Sequence, residues 1–522
     1  MKKKALSLIL TAILSTTFLV GCGGQTTNNS GNSSGGKTFI FAQGADPRGL
    51  DPAFVDDGES AKVMCNIYEG LVAYGDDNTN IQPCLAESWD ISDDGTEYIF
   101  HLRKGVKFHD GTDFNSEAVV KSVVRQLPPN RTDDMPYASF TFAGVKAVEA
   151  IEENTVKFTL ESPNTPFISN LAMSLAAPIV SPKALDESNG NLNEKPVGTG
   201  PFKFVSWEKG EKVTIEKNND YWGEKAKLDK VVLKITKENS VRASELMTGA
   251  IDAMDGLDPN DVDKLKEKNM TIFSKPGMNI NYMAFNCERA PFNNAKLREA
   301  LSYAIDRNEL VQYLYQGYAD PAKTEIPSFI PGFKENVAAY EYNPEKAKEI
   351  IAELGLSDLN IHMITYSNPR PYNSVGGQKL AEAIQNYFSK VGVTSTIDVY
   401  QWTEYKDKTQ QGEGDIVFYG WNGDNGDADN FFSLLDSKEI AGSLNVARFN
   451  NPEVDALLLK GKQTPNGDAR NAVYGELQDL LAKQAPWVPI SYAKQMAAST
   501  PNVKNFSVHP TGSIFFKNVD KE

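Results

Sequence analysis

Histidine and cysteine are scarce in these 522 residues, with four of each. The histidines, at 101, 109, 362 and 509, stand in no triad context, which argues against a hydrolase built on an imidazole base. So few thiols and imidazoles also leave little material for a zinc array. Basic charge is short as well: 53 Lys and Arg face 69 Asp and Glu, a formal net charge of −16. Neutralising nucleic-acid phosphates needs clustered cations, so nucleic acid is not an expected partner. No G-x-x-x-x-G-K-[ST] loop is present, which excludes ATP chemistry of the P-loop type. Beyond residue 20 no long apolar run occurs, which excludes a multi-span helical membrane protein. No metal or cofactor is called for. What is present, 40% hydrophobic and 23% charged residues, is ordinary for a core-forming chain of about three units at ~150 residues each.

The N-terminus is distinctive. Lys2, Lys3 and Lys4 precede an apolar run from Ala5 to Val20, the layout of a secretory signal and short for a membrane span. The run ends in Leu19-Val20-Gly21-Cys22, which resembles the lipobox of bacterial lipoproteins. The resemblance implies cleavage of residues 1–21 and diacylation of Cys22, two chains being what stable anchoring requires. The expected location is then the outer face of the cytoplasmic membrane. Residues 22–36 read as the lipidated cysteine and a flexible leash of Gly, Ser, Thr, Asn and Gln, with a reach of ~20 Å. Cleavage would remove three lysines and leave the body more acidic. Of the remaining cysteines, Cys65 and Cys84 are open to a bridge, with buried free thiols as the alternative.

Periodicity predicts a strand at Thr38–Ala42, then a helix over Glu59–Leu71 with Val63, Ile67 and Leu71 on one stripe. Further strands fall at Tyr98–Leu102 and Val156–Leu160, and Phe202, Phe204, Val213 and Ile215 define a two-stranded pattern. The second half alternates helices (Lys296–Arg307, from Asn343-Pro344 to Gly355, and Gln378–Val391) with strands at Ile361–Tyr366, Ser395–Tyr400 and Asp415–Tyr419. That alternation predicts an α/β sheet covered by helices.

Three blocks of residues carry a wider resemblance. Ala86-Glu87-Ser88-Trp89 leads into Asp93–Arg103 and Lys107-Phe108-His109-Asp110-Gly111-Thr112; Pro196-Val197-Gly198-Thr199-Gly200-Pro201-Phe202 is the second block. The third runs from Pro291-Phe292 through Leu297–Leu301 to Ala304-Ile305-Asp306-Arg307. In this order and spacing they resemble the family 5 extracellular solute-binding proteins of ABC transporters, the peptide- and nickel-binding group. The resemblance implies a periplasmic-binding-protein-like, two-lobed hinge fold with an additional inserted domain. It places lobe I at 37–68, 186–277 and 494–522, the inserted domain at 69–185, and lobe II at 278–493.

Two segments beyond apolar strands are candidate ligand sites, since loops at the C-terminal ends of α/β strands commonly hold ligands. In Tyr419–Phe432 the glycines permit close approach, Gly423 among them. Trp421 offers an apolar, cation-attracting wall. By residues alone the loop reads as an acidic solvated turn. A calcium site through Asp424, Asp427 and Asp429 lacks the EF-hand spacing and its closing Glu. The stretch resembles the dipeptide-binding branch, which implies that Asp424 holds a peptide α-ammonium. Arg370-Pro371-Tyr372-Asn373 resembles the same branch, implying that Arg370, with Tyr372 beside it, binds the peptide carboxylate; guanidinium grips carboxylate through paired hydrogen bonds. The resemblance further implies that the turn at Gly44 and Ala45 holds the peptide main chain, and Asp46 with Asp56-Asp57-Gly58-Glu59, where the sequence departs from the dipeptide branch, is expected to add acid near the pocket.

The implied function is capture of short peptides, dipeptides first, between two lobes of a monomeric, lipid-anchored protein that delivers them to ABC permease subunits. No catalysis is expected. Glutathione, a nickel chelate or a peptide-sensing role are alternatives on the same fold; nickel predicts a histidine near the ligand, and neither pocket segment contains one.

Overall fold

The computed structural model describes residues 36–337 and 340–522, so the expected signal segment, Cys22 and most of the leash lie outside the described residues. Among these, the largest sheet has twelve strands. Its backbone is the strand Trp487–Ser499, which pairs at its start with Asn279–Phe285 and at its end with Thr271–Pro276 and Ala253–Asp255. On one side Thr38–Gln43 lies parallel to Lys230–Ile235 and to Ala253–Asp255, and the hairpin Phe202–Glu208 and Lys212–Lys217 finishes the edge. On the other side Asn279–Phe285 pairs with Ile416–Asn422, and that with the parallel pair Asn360–Tyr366 and Thr394–Tyr400. The strand Asn279–Phe285 is buried at every position, as a sheet covered on both faces demands.

The buried side chains form three large clusters. One gathers Phe39, Phe41, Val213, Ile215, Leu233, Phe506 and Phe516, joining the start of the chain to its C-terminal tail. The second lies between Leu71 and Ile179, around the four-stranded sheet that includes Glu97–Leu102 and Thr155–Leu160. The third lies between Met278 and Tyr492 and includes the helix Gly377–Lys390.

Several expected elements are shorter or split, each for a local reason. The helix expected to reach Leu71 ends at Met64, where the backbone carbonyls of Asn66 and Ile67 turn to accept from the N–H groups of Phe202 and Gly200. The Asn66 side chain also donates to Ile514 O and accepts from the N–H of Phe516, both on the C-terminal tail. The helix expected over Lys296–Arg307 is instead Ala295–Tyr303 followed by Arg307–Tyr315. Asp306 divides them by capping the second, its carboxylate accepting from the N–H of Glu309. Cys65, Cys84 and Cys287 are free thiols, so the Cys65–Cys84 bridge does not form. Burial pushes the Cys65 thiol up to about 12, where it donates to Ile514 O rather than reacting.

Candidate functional site

A cleft of about 1650 Å³ opens between the first and third clusters, with part of the second closing one end. The chain crosses beneath it at Gly277-Met278 and again at Ala493-Lys494. Asn279 ties the two crossings together: its amide donates to Ala493 O (2.8 Å) and its carbonyl accepts from the N–H of Ala493 (2.7 Å). A Cβ on Gly277 would sit 2.6 Å from Ala493 O, so only glycine lets the crossings approach this closely.

Asp424 lies at one end, where the strand Ile416–Asn422 runs out. Its Oδ2 accepts from the Asn430 amide (3.0 Å) and its Oδ1 from the Tyr137 hydroxyl (2.8 Å). Asn430 also orders the loop, its carbonyl accepting from the N–H of Asp424 (2.9 Å) and from the Trp421 indole (2.8 Å). Both carboxylate donors are neutral, and no Lys, Arg or His pairs with Asp424 among the described residues. Burial raises its pKa above 3.8, and the two hydrogen bonds offset this only in part. The other loop carboxylates have different work. Asp427 forms a buried fork with Arg470, at 2.6 and 2.8 Å, and caps the short helix Ala428–Phe432. Among the described residues no group of His, Cys, Asp or Glu has the arrangement of a metal site.

Arg370 lies toward the far end, beyond Asn360–Tyr366. Its guanidinium stacks on the Trp402 ring at 3.9 Å. It forms no ion pair among the described residues, and its Nε and the hydroxyl of Tyr372, a residue 4% exposed, have no hydrogen-bond partner in the protein. The turn is held by Arg370 and Asn373, each N–H donating to the other's carbonyl, and the Asn373 side chain bridges Tyr315 and Tyr366. Lys379 and Lys406 line the same cleft without ion pairs among the described residues.

The remaining expected residues divide. Trp421 and Gly423 line the cleft. Gly423 packs so closely that a Cβ would meet the Phe431 ring at 2.7 Å, and its N–H is taken by Met278 O. Gly44 also lines the cleft, whereas Ala45 is exposed and outside the lining, its carbonyl accepting from the Gln43 amide. Asp46 does not add acid to the pocket: its carboxylate accepts from the Trp207 indole and the N–H of Gly210. Asp56, Asp57 and Glu59 do line the cleft. Lys62, between Glu59 and Asp255, balances part of that charge.

Sequence reasoning missed Tyr137, Trp402 and Asn430. Tyr137 is 287 positions from its partner Asp424, in an irregular Pro-rich stretch with no periodic signal. Trp402 opens a helix, where an aromatic residue reads as ordinary packing. Asn430 was legible only as polar loop.

Residues 80–443 match the model of the bacterial extracellular solute-binding proteins, family 5. The chain is 35% identical to heme-binding protein A of Haemophilus influenzae, over 99% of both chains. It is 33% identical to the dipeptide-binding protein of Escherichia coli, over 93% of this chain and 95% of that one. The structure of the ABC transporter-associated periplasmic binding protein DppA from Helicobacter pylori, in complex with the peptide STSA, superposes with a TM-score of 0.73. That match has 34% identity and covers 93% and 98% of the two chains. A cleft between two lobes joined by crossing strands, in a chain matched along nearly its whole length, makes this protein a member of the family 5 extracellular solute-binding proteins, the non-enzymatic substrate-binding components of ABC transporters.

Proposed function

We propose that this protein captures short peptides, dipeptides foremost, and delivers them to ABC permease subunits from a lipid anchor at Cys22. One observation carries the ligand reading. A half-buried carboxylate without a cation, Asp424, and a guanidinium without an anion, Arg370, line the same cleft. Burying a charge unpaired is costly, and a zwitterion satisfies both ends at once: its ammonium at Asp424, its carboxylate at Arg370 with Tyr372. Trp421 and Gly423 border the ammonium end and Gly44 the opposite side. Residues 37–68, 186–277 and 494–522 then form one jaw and 278–493 the other, with 69–185 inserted. Ligand favours the closed arrangement by bridging the jaws, as a monomer.

Isothermal calorimetry of the protein with dialanine tests this. Binding is expected, and Asp424→Ala is expected to weaken it by about 3–5 kcal/mol, the usual cost of breaking a buried charge pair. Undiminished binding in that variant overturns the assignment.

A second reading has its own support. Lys379 and Lys406, unpaired beside the Arg370 end, suit a ligand with a second carboxylate, such as glutathione. Calorimetry with glutathione and a Lys379→Ala, Lys406→Ala double variant separates the two: only the ligand with two carboxylates should lose affinity.

A further inference from the structure

The Arg370 guanidinium is aimed by a turn rather than held by a bond. Stacking on Trp402 sets its height above the ring but not its direction within that plane, and its Nε has no hydrogen-bond partner in the protein. The direction therefore depends on where the turn 370–373 sits. Arg370 and Asn373 close that turn, their N–H groups donating to each other's carbonyls at 3.0 and 2.8 Å. The Asn373 side chain, fully buried, ties it to the rest of the fold.

A run of neutral hydrogen bonds leads from that side chain to the strands of the two crossings. Asn281 on Asn279–Phe285 and Ser491 on Trp487–Ser499 face each other in the paired strands, two residues from the clamp of Asn279 on Ala493. The Asn281 amide spends both its protons, one on the Tyr315 hydroxyl at 2.9 Å and one on the Ser491 hydroxyl at 3.3 Å. Tyr315, accepting there, has its own proton left to give, and donates it to Asn373 Oδ1 at 2.9 Å. One orientation then remains for the Asn373 amide, its carbonyl toward Tyr315 and its NH2 toward the Tyr366 hydroxyl, 2.9 Å away. Asn281, Ser491, Asn373 and Tyr366 are almost wholly buried, and so is Tyr315. A missing link at such depth costs the desolvation of its partners and the single arrangement they specify.

We propose that Tyr315 and Asn373 are positioning residues for the carboxylate end of the ligand: the relay from Asn281 fixes the turn 370–373 against the strands of the crossings and so aims Arg370 in advance of binding. The proposal rests on the peptide reading above, and neither residue has to touch the ligand for it. The relay supplies preorganisation, since the guanidinium has no range of directions to give up when a carboxylate arrives. A carboxylate gripped through two parallel hydrogen bonds is sensitive to that direction; a C-terminal amide, with one acceptor oxygen, is far less so.

Calorimetry on the full chain with dialanine and dialanine amide tests this, with thermal melts as the check on folding. Wild type is expected to prefer dialanine by about tenfold or more, because the two-bond grip is open only to the free carboxylate. Tyr315→Phe keeps the ring and breaks the relay, so dialanine should weaken about tenfold while dialanine amide changes less than about twofold. In an Arg370→Ala background the same substitution should cost dialanine less than about twofold, because a residue acting through Arg370 has nothing left to act on. A purely structural role would weaken both ligands alike and would persist in that background. An unchanged preference for dialanine in Tyr315→Phe, or an undiminished loss in the Arg370→Ala background, overturns the relay and leaves the peptide reading standing. If Tyr315→Phe melts below the assay temperature, Tyr366→Phe, which removes the acceptor at the other end of the relay, decides by the same ratio. A wild type indifferent between the two probes overturns the carboxylate role of Arg370 and the relay with it. A wild type that binds neither overturns the peptide reading and this proposal together.

Discussion

At the scale of single residues, pairing inside the protein rather than charge type decides which ionisable groups are left to face a ligand. Asp424 and Asp427 are three positions apart in one loop. Asp427 has Arg470 against it, and Asp424 has only the amide of Asn430 and the phenol of Tyr137. The raised pKa of Asp424 has a signed consequence. Its contribution to the stability of the unliganded protein is present below its unfolded pKa and lost as pH rises through the folded value. An ammonium ligand reverses this by stabilising the carboxylate, so binding releases a proton wherever Asp424 is partly protonated. Dialanine affinity should therefore fall as pH drops from neutral toward 3.8, the ordinary value. Asp424→Asn should remove that slope; calorimetry across the pH range reads both. At the other end, Arg370→Ala should weaken peptides with a free carboxylate tenfold or more and leave C-terminally amidated peptides unchanged, since only the former use the guanidinium pair. An equal loss for both would count against the anchor.

At the scale of elements, the loop 420–432 is legible as chemistry but not as architecture. Its glycines and acids point to a ligand site, and the strand before it was foreseen. What holds it is not local: Arg470 lies in the helix Asp468–Gln484, Thr79, whose hydroxyl donates to Gly426 O, follows the short strand Val72–Tyr74, and Asn170, which accepts from the Asn425 amide, ends the turn Phe167–Asn170. Arg470→Met would strand a buried Asp427 carboxylate and should cost about 3–5 kcal/mol in urea unfolding; a loss under 1 kcal/mol would show that the fork matters little. The same locality explains the helix boundaries. The periodic stripes at 59–71 and 296–307 are real, since Val63, Ile67, Leu297, Leu301 and Ile305 are all buried. The helices stop early where Asn66 and Asp306 find non-helical partners, which side-chain spacing alone does not reveal.

At the scale of the molecule, the two crossings at Gly277-Met278 and Ala493-Lys494 are where the chain passes between the first and third clusters, the jaws of the proposed function. Asn279, 2% exposed, clamps them. Asn279→Ala removes both hydrogen bonds without adding bulk, and should loosen the relation between the jaws. Small-angle scattering should show a smaller contraction on adding dialanine than in wild type, with affinity reduced severalfold. An identical contraction would mean that the strand pairing alone sets the geometry.

The order of apolar runs, the Gly-rich turns and the three motif blocks determined the α/β class and the family. The resemblance also pointed to Asp424, Arg370, Trp421 and Gly423, all of which line the cleft: Trp421 ends and Gly423 and Asp424 follow the strand Ile416–Asn422, and Arg370 follows Asn360–Tyr366. Ala45 and Asp46 sit at an equally good local position, yet Trp207 and Gly210 draw the Asp46 carboxylate away from the cleft. Only the tertiary structure decided that, as it decided that Tyr137 meets Asp424 and that Trp402 lies under Arg370. The physical reason is the same in each case. Charge compensation and hydrogen bonding act through space over a few ångströms, while sequence pattern reports only neighbours within a turn or a strand.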